Sequence, residues 1–112
     1  MKNIIVALLV IMSLWAHAGE TGKKGFKADV SISGFFSPEV KSAIINSVVK
    51  NSSAEEQGIK VGHEIVAIDG CKIPGCPASV AKKALQKSVG ESVVLTMLKP
   101  DGDIYEANVT LQ

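Results

Sequence analysis

Asn51-Ser52-Ser53-Ala54-Glu55-Glu56-Gln57-Gly58-Ile59-Lys60-Val61-Gly62-His63-Glu64-Ile65-Val66-Ala67-Ile68-Asp69-Gly70 is the stretch whose reading decides the fold. Asn51-Ser52-Ser53 offers a helix N-cap, because a short hydroxyl or amide side chain can accept from the otherwise unpaired amides of the first turn. Glu55 and Glu56 then fall where the helix dipole favours negative charge, and Gly58 supplies the left-handed residue that stops a helix. The predicted helix is only about one and a half turns long. After it, Glu64–Ile68 reads as a short strand with Ile65, Val66 and Ile68 as its apolar content, closed by the turn pair Asp69-Gly70.

Towards the C-terminus, a brief Lys72-Ile73 segment is turned by Pro74-Gly75, and Pro77-Ala78-Ser79 opens a longer helix running to about Ser88. Val80, Ala81, Ala84 and Leu85 share one face of it, with Lys82, Lys83 and Lys87 on the wet side or its margin. Ser92–Leu98 is a strongly apolar strand, Lys99-Pro100-Asp101-Gly102 a hairpin turn, and Ile104–Leu111 its alternating partner. Towards the N-terminus, Ile44–Val49 is a β-branched strand and Gly34-Phe35-Phe36-Ser37-Pro38 a break. Phe26–Ser33 alternates, with Phe26, Ala28, Val30 and Ile32 on one side, as a half-buried strand does. Residues 19–25 are glycine- and lysine-rich and are expected to form a flexible lead-in.

Residues 1–18 have the three parts of a secretory signal peptide. Lys2 provides the positive start, Ile4–Trp15 is an apolar run broken only by Ser13, and Ala16-His17-Ala18 places small residues where a signal peptidase cuts. A buried core helix is the alternative, but the flanks fit it poorly. A bilayer-spanning helix needs roughly 20 apolar residues, so this run is too short for a permanent anchor. Cleavage is expected near Ala18/Gly19, giving a periplasmic or secreted protein. No cysteine near the cut indicates a lipid anchor.

The chain beyond residue 18 keeps eleven of the twelve lysines, has no arginine and retains all eleven acidic residues, so its charge is close to zero. That balance lacks the concentrated basic footprint of a nucleic-acid binder and the polybasic patch of a membrane-surface protein. The length suits one domain with one modest core, covering 26–112.

The quoted stretch resembles the PDZ domain family, whose pattern runs Gly-Ser-Pro-Ala, Ala-Gly-Leu, Gly-Asp, Ile-Leu and a closing Asn-Gly or Asp-Gly. The helix through Leu85, the strand after Val89-Gly90-Glu91 and the turn Lys99–Gly102 resemble the family's second helix and terminal hairpin at proper spacing. The likeness is greatest to bacterial exported PDZ domains. It implies an α+β fold, a small partly open β-barrel or sandwich of five to six strands with two helices. It also implies peptide binding by strand addition beside the second helix, with a terminal carboxylate held by the amides of a glycine-containing loop.

The family's Gly-hydrophobic-Gly-hydrophobic loop has no clean counterpart here. Gly25-Phe26-Lys27-Ala28 and Gly34-Phe35-Phe36 are the two nearest stretches, and the apolar pair of the second is the more suggestive; the alternative is that Phe35 and Phe36 fill the core. Counting back from Leu85 by the family's spacing puts Ala78 and Lys82 at the groove-facing positions. Ala78 cannot read a ligand hydroxyl as the family's frequent histidine does. Lys82 either attracts an acidic ligand residue or is an ordinary solvated lysine.

Cys71 and Cys76 flank Lys72-Ile73-Pro74-Gly75, and in an oxidising compartment they are expected to form a disulfide. Its short loop contributes about 2 kcal/mol. Zinc lacks a second ligand pair, a redox pair normally has two intervening residues, and His63 alone completes no metal site. His63 stands where the family has aspartate and reads as a polar turn residue. No nucleophile has a base, and no cofactor is implied, so a non-enzymatic protein is expected. Two functions follow from the resemblance: capture of peptides or segments of exported or envelope proteins, or self-association into homo-oligomers, with the groove filled by the chain itself and an outer strand paired with another copy.

Overall fold

A computed structural model describes residues 21–112. The expected signal peptide and the start of the lead-in lie outside the described residues. The elements are β1 (Phe26–Ser33), β2 (Glu39–Val48), α1 (Ser53–Glu56), β3 (Glu64–Ile68), β4 (Cys71–Lys72), α2 (Ala78–Leu85), β5 (Ser92–Leu98) and β6 (Ile104–Thr110). They form one antiparallel sheet in the order β1-β2-β3-β5-β6, with β4 attached to β3. This is the expected α+β arrangement with two helices, and the sheet is open, with β1 and β6 as its outer strands.

The turn chemistry of 51–70 works as its residues dictate. Ser52 is the N-cap of α1: its Oγ accepts from Glu55 N–H at 3.2 Å and donates to Val49 O at 2.7 Å. Glu55 Oε1 in turn accepts from Asn51 N–H at 3.1 Å. Ile45, Ile59, Ile65, Leu95, Met97, Val93 and Val109 are fully buried, so β2, β3, β5 and β6 together with Ile59 in the loop after α1 build the core.

Two boundaries differ by several residues from the sequence expectation. β2 begins at Glu39, five residues early, because Val40 N–H donates to Cys76 O and Val40 O accepts from Gly75 N–H. α2 stops at Leu85, before Ser88, since Ser88 pairs with Thr21 and Lys87 O accepts from Gly22 N–H. Those same bonds, with the reciprocal pair between Lys23 and Gln112, tie residues 21–23 of the supposedly flexible lead-in to the C-terminal edge. Lys87 Nζ also reaches Asp69 Oδ2 at 2.7 Å. Burial pushes the Asp69 carboxyl up, but Lys87 and the Val94 N–H outweigh it and hold the group below its usual value.

His63 is buried, 7% exposed, with Nδ1 2.6 Å from Tyr105 Oη. Tyr105 donates to Gly58 O at 3.3 Å, an arrangement met by the Nδ1-protonated neutral imidazole. The polar turn residue expected here is thus a buried one joining β3 to β6. Burial, reinforced by Lys99 and Lys60 and opposed by Asp101, holds His63 below its ordinary pKa. The unfolded chain therefore takes up this proton at higher pH than the folded one. The resulting stability is present above pH ~6.5 and is lost as pH falls through that value towards the folded pKa. Urea midpoints are expected to drop between about pH 7.5 and about pH 5.5, and His63→Gln to flatten that drop; an unchanged slope in the variant would contradict the assignment.

Candidate functional site

The alternation of β1 places Phe26, Ala28, Val30 and Ile32 along one wall of a groove of about 530 Å³. α2 supplies the other wall through Ala78, Ala81, Lys82 and Leu85, and Val40, Ala43, Ile65 and Ile68 lie between them. Val30 is 51% and Ile32 55% exposed, so the distal half of β1 is not half-buried as its pattern predicts. The side-chain period identifies the face correctly; what that face meets is an open groove rather than the core.

β1 is an outer strand, and its main chain has a defined polarity. Gly25 O accepts from Val49 N–H at 2.8 Å, which turns the odd-numbered residues of β1 towards β2. Both register shifts against β2 insert their extra residue in β2, so the alternation of β1 continues unbroken. The N–H and C=O groups of Phe26, Ala28, Val30 and Ile32 therefore point to the free edge, beside the groove. At the head of the strand, among the described residues, no oxygen accepts from the N–H of Lys24 or of Gly25.

Gly25 is fixed by two constraints. Its φ is +79°, and a Cβ there would lie 2.7 Å from Ser52 Cβ and 2.9 Å from Ser52 Oγ. The α1 cap and the head of the groove are thus packed against one another. Lys24 Nζ lies 5.8 Å from the centre of the Phe26 ring, and Phe26 itself is buried.

The structure brings Ala78, Lys82 and Leu85 together along the groove. It places Gly34-Phe35-Phe36 in the β1–β2 turn, where Phe35 is 91% and Phe36 92% exposed. Neither the core-filling role nor the head of this groove falls to them. Phe36 instead borders a smaller depression with Pro38, Glu39, Pro77, Ala78 and Ser79, at the N-terminal end of α2. The loop at the head of the groove is Lys24-Gly25-Phe26, in the other of the two stretches singled out by their glycine–phenylalanine pair. Val30, Ile32, Lys24 and Lys27 join it as lining residues that the family spacing did not point to.

Cys71 and Cys76 form a disulfide, with Cα atoms 5.4 Å apart, between β4 and the residue before Pro77. Ala78 N–H donates to Pro38 O at 2.9 Å, so the cross-linked loop holds both the start of β2 and the start of α2. Replacing both cysteines by serine is expected to remove about 2 kcal/mol from the unfolding free energy. Chemical denaturation checks this, and an unchanged midpoint would contradict it.

The opposite edge of the sheet is treated differently. Thr110 N–H donates to Ser53 Oγ at 2.9 Å and Asn108 N–H to Gln57 Oε1 at 3.0 Å, so α1 covers the C-terminal part of the outer side of β6.

The family model for the PDZ domain matches residues 16–98. Syntenin-2 of Rattus norvegicus is 31% identical over 78 residues, which make up 70% of this chain and 24% of that protein. Among solved structures, a photosystem II D1 C-terminal processing protease is similar in fold, with a TM-score of 0.63 and 20% identity over 90% of this chain and 26% of that one. The chain therefore spans about a quarter of the length of each of these proteins.

Proposed function

Because the chain belongs to the PDZ domain family and is a peptide- or protein-binding module, we propose that it captures C-terminal tails or extended segments of exported or envelope proteins. The tail adds as a strand to the free edge of β1, beside α2. One observation carries this reading: the outward main-chain groups of β1 lie beside the apolar groove, and at its head the amides of Lys24 and Gly25 have no partner among the described residues. Main-chain pairing provides affinity, the side-chain walls provide selection, and the amides at the head suit a terminal carboxylate. The domain does this without chemistry of its own.

Self-association is less well supported. No described residue fills the groove, and α1 occupies part of the β6 edge that a second copy would need. A library of peptides with free apolar C-termini, displayed beside amidated counterparts, tests the proposal. Free-ended binders that shift the amide resonances of β1 are expected; absence of any binder would overturn it.

The exported setting rests on residues 1–18 and is supported by the Cys71–Cys76 bond, which persists where thiols are oxidised. N-terminal sequencing of protein recovered from cells is expected to begin near Gly19, and recovery of Met1 would remove that part of the proposal.

A further inference from the structure

We infer that, granted strand addition at β1, the tail this groove takes is acidic close to its free end, with an acidic side chain third from the last residue opposite Lys82. The ionisable residues along the groove are Lys24, Lys27 and Lys82, and no aspartate or glutamate lines it. Asp29 stands at the margin of the groove, where its Oδ1 accepts at 2.8 Å from Nδ2 of Asn46, itself a lining residue. Beyond the head of the groove the adjoining hollow adds Lys23 and no acidic side chain. Glu39 stands at the other end, beside Phe36 and Pro77. The charged side chains lining the groove are therefore all positive, and the one acid at its margin, Asp29, is taken up by Asn46.

The direction and spacing of a bound tail follow from the two walls. Leu85 lies near Gly25 and Ala78 near Phe36, so α2 runs from the far end of the groove to its head. A tail with its carboxylate at the Gly25 amides extends away antiparallel to β1. Its last and third-from-last side chains point the same way, about 6.8 Å apart. On α2, Lys82 lies about 4.5 Å and Ala78 about 10 Å from Leu85 along the axis. If the last side chain packs on Leu85, the third-from-last falls between Lys82 and Ala78. Ala78 leaves room there, and Lys82 offers the one charge. Because Lys82 is exposed, the pair is screened, and it discriminates by several-fold rather than by orders of magnitude.

The experiment uses three hexapeptides of one apolar free-ended sequence with Glu, Gln or Lys third from the end, titrated into the purified protein at low and high salt. The Glu peptide is expected to bind about fivefold tighter than the Gln peptide at low salt, and the Lys peptide weaker still. High salt should compress the series. Lys82→Glu should reverse the order and Lys82→Gln should flatten it; both fall at one exposed helix position and leave the core intact. Equal binding of all three, or an order unchanged by Lys82→Glu, would overturn the inference and leave strand addition standing. Failure of all three to bind, with the β1 amides unperturbed, would overturn both.

Discussion

Val30→Pro is expected to abolish tail capture while leaving the fold standing. Val30 is half-exposed, and its N–H points to the free edge rather than into the β1–β2 ladder. Proline removes that donor and nothing from the ladder, a substitution that outer strands tolerate. Asp29, the preceding residue, is already extended, as a residue before proline must be. A tail then meets a missing donor and a pyrrolidine ring in its pairing path, and its affinity should fall by about tenfold or more. Asp29→Pro is the matched control. Its N–H faces Ile44 of β2, so the ring breaks the ladder itself and the domain should lose cooperative unfolding. Circular dichroism separates the two, and equal loss of structure in both variants would contradict the assigned polarity of β1.

Gly25→Ala should remove both stability and binding, whereas Gly34→Ala should remove stability alone. At Gly25 a methyl group meets φ of +79° and the Ser52 side chain, so the strain reaches the α1 cap and the head of the groove together. A loss of about 1–3 kcal/mol follows from a non-glycine residue forced into that region with a cap disturbed. At Gly34 the clash is with Ser37 O at 2.6 Å, again at positive φ, but inside the exposed β1–β2 turn. The hairpin is strained there while the amides of Lys24 and Gly25 are untouched. Thermal melts and peptide titrations of the two variants decide between the glycines as the head of the site. Tail binding lost in Gly34→Ala and kept in Gly25→Ala would reverse the assignment.

These two glycines also mark where the sequence stops being legible. Both stand before a phenylalanine in a turn-like setting, and no local property distinguishes them. What separates them is tertiary: Ser52, a residue 27 positions away from Gly25, packs against its Cα and shares its carbonyl at 3.4 Å. The stretch 51–70 was readable because its devices are local. A capping serine, an acidic first turn and glycines at positive φ act within a few residues of themselves. β3 and β5 kept the bounds their apolar runs predict for the same reason.

Elements held by distant partners were not readable to their ends. The first residues of β2 owe their extended conformation to Cys76, Gly75 and Ala78, none of which lies near them in sequence. α2 is cut short by bonds from Gly22 and Thr21, residues whose composition points to a loose lead-in. His63 became intelligible only beside Tyr105, 42 residues on. Val30 and Ile32 are the instructive case for function. Period-two alternation names a face of a strand, but exposure alone separates a face that fills the core from one that lines a site. Ala78, Lys82 and Leu85, by contrast, were placed by the family's spacing counted back from a single anchor, and the structure aligns all three on one wall.

Hydrogen exchange of the β1 amides, with and without saturating free-ended peptide carrying an acidic residue third from its terminus, tests strand addition most directly. The amides of Ala28, Val30 and Ile32 should be labile in the free protein and become protected on binding, with those of Asp29 and Ser31 protected throughout. Protection that leaves the even-numbered amides unchanged, or that appears on β6 instead, would contradict it.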